Sequence, residues 1–356
     1  MKLRDTGFLL AFSTALLPTA AITLVDHGLP PGLAAWLPVV FMFGVIPLLD
    51  MLCGQGRSHW RTPAQADELE NRRYFRVLVL PVVPIWLSTL AWCMQQFVVQ
   101  PWGIAAQLGW LVSTGVIGGV LAINPAHELV HKSSGIEPIA GGILLVGVGY
   151  HGFKVEHVRG HHRHVATPRD SSSARLGESV YRFVPRVLWH NTRNAWRLEA
   201  GRLRERGYRI HSWHNEMVSW SLVWLLMPGT AALTWGPTGA LVLVAQGLLA
   251  AATLEVLNYI EHYGLERREI AADRYQRVTH HHSWNAPQRY TNWLLFNLQR
   301  HSDHHAMARR RYRVLRHHAD SPQLPAGYAS MFALALLPPL WRSVMDPRAK
   351  AHRSAE

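Results

Sequence analysis

Cysteine is nearly missing from this sequence: Cys53 and Cys93 are the only two in 356 residues. So few exclude a disulfide framework and a metal site built from four thiolates, and both read as small apolar fillers. Lysine and arginine are missing over long stretches. None occurs between Arg4 and Arg57, between Arg76 and Lys132, or between Arg209 and Arg267. A soluble basic protein spreads its charge along the chain, whereas here the 36 Lys+Arg are segregated from the apolar runs. Internal repeats and low-complexity tracts are lacking, as are a flavin motif and the cysteine pairs of a rubredoxin-like centre.

The cation-free gaps hold apolar runs long enough to span a bilayer, which takes about 20 apolar residues in a helix. They predict six spans, at 7–25, 32–52, 77–98, 103–125, 217–235 and 237–258. Lys2 and Arg4 precede the first run as in a signal peptide. No clear small-residue cleavage site follows and a second span comes at once, so the first is read as retained. The connections near residues 26–31, 98–102 and 236 are short and carry no cations. By the positive-inside rule, both termini and the regions 127–216 and 259–356 face the cytoplasm. The expected fold is one all-α integral-membrane domain over 1–356, with six transmembrane helices and a cytoplasmic histidine-rich helical cap. No nucleic-acid partner is expected.

What the chain has in excess is histidine, 22 in all. Four clusters stand at or beyond the cytoplasmic ends of spans. Asn-Pro-Ala-His-Glu-Leu-Val-His-Lys places His127 and His131 four apart, which stacks both imidazoles on one helix face. Glu-His-Val-Arg-Gly-His-His-Arg-His supplies His157, His161 and His162. Asn-Tyr-Ile-Glu-His-Tyr-Gly supplies His262, and Leu-Gln-Arg-His-Ser-Asp-His-His supplies His301, His304 and His305.

A single His-x-x-x-His is a weak signal, and His-Glu-x-x-His is also the zinc-protease signature with glutamate as general base. A catalytic zinc takes three protein ligands and keeps one position open. Nine histidines suit two metals instead, and imidazole accepts iron, zinc, copper or nickel. Glu128, Glu156, Glu261 and Asp303 sit beside the clusters, where each is expected to accept an imidazole N–H and offset metal charge. The run His280–His282 and His151 and His164 stay outside the ligand set. His27, His59, His190, His211, His214, His317, His318 and His352 are expected at the solvent or headgroup level.

These motifs resemble the membrane-bound alkane 1-monooxygenases, within the histidine-box desaturase and hydroxylase group. The most specific stretches are Asn-Tyr-Ile-Glu-His-Tyr-Gly-Leu at 258–265 and Leu-Gln-Arg-His-Ser-Asp-His-His-Ala at 298–306. Val-Ala-Thr-Pro-Arg-Asp at 165–170 and Gly-Glu-Ser-Val-Tyr-Arg-Phe-Val-Pro-Arg at 177–186 support them. Carried over position by position, the family's iron ligands fall on the same nine histidines. Departures are Val130 inside the first box, Arg163-His164 after the second and Met307-Ala308 after the last.

The resemblance implies a diiron enzyme of a bacterial inner membrane. It would turn a terminal methyl group into a primary alcohol with O2 and two electrons, releasing water. Electrons would come from a rubredoxin and its reductase, steered by a basic face; Arg309, Arg310, Arg311, Arg313 and Arg316 are the docking candidates. Spans two to four and six are expected to line a channel for the hydrocarbon, with Asp50, Phe41, Phe43, Trp110 and Val130 as candidate lining residues. A desaturase or a hydroxylase of another lipid or of aromatic methyl groups shares the boxes. An intramembrane zinc protease would leave three clusters unexplained, and a metal transporter would place histidines near the midplane.

Overall fold

The computed structural model describes residues 3–57, 60, 62–133 and 135–355; His59 lies outside them. The chain is mostly helical. Among the described residues, four helices are long and apolar enough to cross a membrane: α1 (Gly7–Asp26), α3 (Arg73–Val99), α4 (Ile104–Val130) and α8 (Glu216–His262). The second predicted span is the shorter apolar helix α2 (Leu37–Cys53). It is interrupted by a π turn at Phe41–Val45, the wider turn that often marks a functional site.

The fifth and sixth predicted spans are one continuous element, α8, because only Gly236 separates them. Its φ of 73° and ψ of −178° are non-helical, and Pro237 follows. The same short stretch of backbone touches both halves of α8. Trp224 Nε1 lies 2.6 Å from where a Cβ on Gly149 would sit, and Val148 O lies 2.5 Å from a Cβ built on Gly247. Residues 224 and 247, about equally far on either side of Gly236, thus share one level, and the halves run antiparallel as a hairpin. Gly247→Ala is expected to cost about 1–3 kcal/mol, because the obstructing atom is backbone and does not swing aside. A lowered Tm of the purified protein checks this.

The region between α4 and α8 was expected to be entirely cytoplasmic cap. It instead opens with a buried apolar helix, α5 (Ile136–Val146), packed against Val130 and Leu129 through Gly141. Next come a short helical stretch, α6 (153–164), and the amphipathic α7 (Val180–Glu205). Glu199 of α7 is buried and takes Arg159, Arg202 and the backbone N–H of Glu216, fastening α6 and α7 to the start of α8. Beyond α8 lie the short helices α9 (His301–Ala306) and α10 (Tyr328–Ala335), then α11 (Pro338–Ala355). One departure from an all-α chain is a small antiparallel pair, Glu269–Ala271 with Arg274–Tyr275, whose turn includes Asp273 at φ 58°.

Candidate metal centre

The C-terminal ends of α4 and α8 arrive side by side, and α6 and α9 close over them. All nine predicted ligands meet there, in two groups whose candidate ligand atoms lie within 4.8 Å of one another: His127, His131, His157, His162 and His304, and His161, His262, His301 and His305. The first draws on α4, α6 and α9, the second on α6, α8 and α9.

Helical spacing predicted His157 and His161 as partners, and the structure separates them. Residues 157–161 form a π turn, so residues five apart fall on one face. His162 Nε2 therefore lies 3.1 Å from His157 Nε2, while His161 turns to the other group. In α9 the four-residue spacing holds: His305 Nε2 is 3.0 Å from His301 Nε2, whereas His304 Nε2 sits 3.1 Å from His162 Nε2 across the gap. His301 Nε2 is 3.2 Å from His262 Nε2.

These separations fit metal ligation. Two imidazole nitrogens bound to one metal at about 2.0–2.1 Å and at right angles stand about 3 Å apart. His127 Nε2, His131 Nε2 and His161 Nε2 are buried with no hydrogen-bond partner among the described residues, a costly arrangement unless a cation takes the lone pairs. Burial, reinforced by neighbouring rings, pushes His131, His157, His162, His301, His304 and His305 well below the ordinary histidine value. They are thus neutral, the form that binds metal.

The carboxylates depart from expectation. Of the four predicted, only Glu261 reaches a box histidine, with Oε2 3.2 Å from His301 Nε2. Glu128 is engaged by Lys132 Nζ at 2.9 Å and accepts from the backbone N–H of Tyr312. Glu156 accepts from Asn194, and burial pushes its carboxyl up to about 8. Asp303 takes His318 at 2.9 Å, Arg310, and the backbone N–H of Arg316. The partner that spacing missed is Asp170, whose Oδ2 is 2.9 Å from His161 Nδ1. Burial works against it, yet Asp170 holds His161 above the ordinary value. Its signal was present in Val-Ala-Thr-Pro-Arg-Asp, but nine residues from His161 no helical periodicity connects the two. Glu255 was missed as well. It is fully buried two turns before His262, accepting from Tyr150 Oη at 2.5 Å and Asn258 Nδ2 at 2.9 Å. An acid within an apolar span was its cue.

An apolar cavity lies beside the centre. Met42, Phe43 and Ile46 of α2, Val120 and Asn124 of α4, and Leu254 and Leu257 of α8 line it, with Leu295, Leu298 and Phe332 closing the side. Asn124, Leu295 and Leu298 also border a smaller space next to His127 and His304, so the two adjoin at these three residues. Of the predicted lining residues Phe43 is present, with Phe41 packed in the cluster behind it. Trp110 donates to Cys93 O near the far end of α4. Val130 faces α5. Asp50 accepts from the N–H and hydroxyl of Thr291, joining α2 to the 289–294 helix. No α3 residue lines the cavity among those described; segments 291–298 and 328–332 take its place.

The arginine run after the last box is largely internal. Arg311 is buried against Glu137 at 2.8 Å and Arg313 against Asp5 at 2.7 Å. Arg316 stacks over Trp60 with 4.3 Å to the ring centroid, Arg310 holds Asp303, and only Arg309 of the five is exposed. These side chains fasten the cap because carboxylates and a ring meet them there. Arg311→Ala is expected to cost about 3 kcal/mol, since it strips the closest cation from the buried Glu137. Thermal unfolding checks this, and a docking role would instead leave Tm unchanged. The His282 ring is held by Thr279 and Gln276 and belongs to neither group.

Residues 101–335 match the family model of the fatty acid desaturases, and the chain belongs to this class of membrane-bound histidine-box enzymes. It is 49% identical over 327 residues to alkane 1-monooxygenase 1 of Pseudomonas aeruginosa, covering 92% of this chain and 86% of that one. It is 45% identical over 358 residues to alkane 1-monooxygenase 2 of Alcanivorax borkumensis, covering 100% and 94%. The hydroxylase component of the xylene/toluene monooxygenase of Pseudomonas putida is 30% identical over 233 residues, 65% of this chain. Within its class the chain is a member of the alkane 1-monooxygenase family, an oxidoreductase of the monooxygenase type.

Proposed function

We propose that this protein hydroxylates the terminal methyl of medium- or long-chain alkanes to primary alcohols, using O2, a histidine-held pair of irons, and electrons from rubredoxin through its reductase. The observation that carries the reading is an apolar cavity adjoining, through Asn124, Leu295 and Leu298, the space beside two groups of buried histidines. His127, His131, His157, His162 and His304 would hold one iron, and His161, His262, His301 and His305 the other. When bound, the irons supply the O2 chemistry: RH + O2 + 2 e⁻ + 2 H⁺ gives ROH + H2O.

The chain's own residues do the rest. The cavity admits a hydrocarbon that partitions into the bilayer and offers little that a polar substrate could bind. Phe43, Leu254 and Leu257 align it lengthwise toward Asn124 and His127. Asp170 fixes the proton on His161 Nδ1, leaving Nε2 free to ligate. Glu261 adds negative charge beside His301.

The non-helical break at Gly236 supports reading α8 as two passes, which with α1 to α4 would give six. The proposed location is a bacterial inner membrane with the histidine end and both termini cytoplasmic, an orientation supported by the cation-rich segments around the histidine boxes.

The test is metal content with a Mössbauer spectrum of iron-reconstituted protein, then product analysis with rubredoxin and its reductase. Two irons per chain in a nitrogen-rich site and 1-alkanols are expected. One zinc and no iron would overturn the reading. Hydroxylated aromatic methyls or alkenes in place of alkanols would replace the substrate and leave the metal assignment standing.

A further inference from the structure

The histidine run at 280–282 is used by neither metal group. It lies against a second histidine pair from the segment after the last box. His280 and His318 stack with ring centroids 4.3 Å apart and planes 13° from parallel. One ring nitrogen of each and a carboxylate oxygen of Asp320 fall within 4.8 Å of one another.

His280 Nε2 is 2.9 Å from Asp320 Oδ2, so the proton between them stands where a cation would bind both. That hydrogen bond draws the Asp320 carboxyl below its ordinary value, keeping it ionised. His318 is oriented from behind. Its Nε2 lies 2.9 Å from Asp303 Oδ1, the carboxylate–imidazole pairing that aims the other ring nitrogen at a metal.

Two imidazoles and one carboxylate suit a borderline divalent ion and are too poor in oxygen for calcium or magnesium. The side chains of His280, His318 and Asp320 are 27%, 20% and 67% exposed. Water can therefore complete the coordination, and the ion can enter directly from solvent.

We propose that His280, His318 and Asp320 form a third metal site, for a divalent transition cation such as zinc, separate from the nine-histidine centre. It does not depend on the identity of the metals in that centre. The bound cation would clamp the 280 loop to the segment after the last box. Asp303 ties that clamp to α9, where His301 and His304 flank it. The clamp therefore steadies the helix that serves both histidine groups.

The test uses the full-length protein in nanodiscs, prepared without a histidine tag, stripped of metal and titrated with zinc alone. Bound zinc is counted by mass spectrometry after dialysis, and Tm is followed in parallel. The wild-type chain is expected to hold one more equivalent than a His280→Gln/Asp320→Asn double variant and to gain Tm from it. His318→Gln is expected to lose the same equivalent. Asp320 is largely exposed, so these changes leave the fold intact, which the Tm of the metal-free proteins checks. Loading the double variant with iron separates this site from the centre, since its iron content should match wild type. Equal zinc stoichiometry and equal zinc-induced Tm gain in wild type and double variant would overturn the third site.

Discussion

His301→Ala is expected to lower the iron content of the proposed diiron centre from two per chain to about one and to abolish alcohol formation. His301 belongs to the group of four, with His161, His262 and His305, and its Nε2 contacts Nε2 of both His262 and His305. Removing it leaves three nitrogens for a metal, with Glu261 Oε2 the nearest remaining donor. The other group has five histidines, so a single loss there, such as His131→Ala, leaves four and should retain more iron. Iron per chain and turnover, measured together in both variants, check the asymmetry. Full iron and full turnover in His301→Ala would remove it from the site.

Asp170→Asn should weaken iron retention and activity by about 10–100-fold, the usual range for loss of a group that orients a ligating imidazole. Asp170 is itself firmly placed. Its Oδ1 accepts from the N–H of Ser172 and its Oδ2 from the hydroxyl of Ser173, while Oδ2 also meets His161 Nδ1. The amide is isosteric but removes the charge that holds His161 above its ordinary value. The expected signature is faster iron loss to a chelator with the fold intact. Glu128→Gln is the contrast, because Glu128 meets Lys132 and the N–H of Tyr312 and none of the nine histidines, and chelator resistance should change little. Equal losses in the two variants would show that proximity in sequence, not the observed contact, governs retention.

All nine histidines of the two groups were legible because their boxes carry imidazoles at helical spacing, and spacing survives in any helical fold. Their division between the two groups was not. That depended on a π turn at 157–161, a backbone choice no side-chain pattern announces. Supporting carboxylates were misjudged for a related reason. Neighbours in sequence turn to other partners, Glu128 to Lys132 one turn on and Asp303 to His318 on a later segment, while Asp170 reaches His161 through a loop. The arginines after the last box read as surface charge, and the fold spent them on buried acids 174 and 308 positions away, at Glu137 and Asp5.

The sequence by itself determined that the chain crosses a membrane, that nine histidines gather at one end of the spans, and that the family is that of the alkane 1-monooxygenases. Each is written in local pattern: charge-free apolar length, imidazole spacing, and box sequence. Only the tertiary structure decided which histidines stand together in each group and which carboxylate meets them. It also decided which helices wall the cavity, with segments 291–298 and 328–332 standing where α3 was expected. These are contacts between distant segments, fixed by how helices pack and where backbones turn, and no single stretch of chain contains that information.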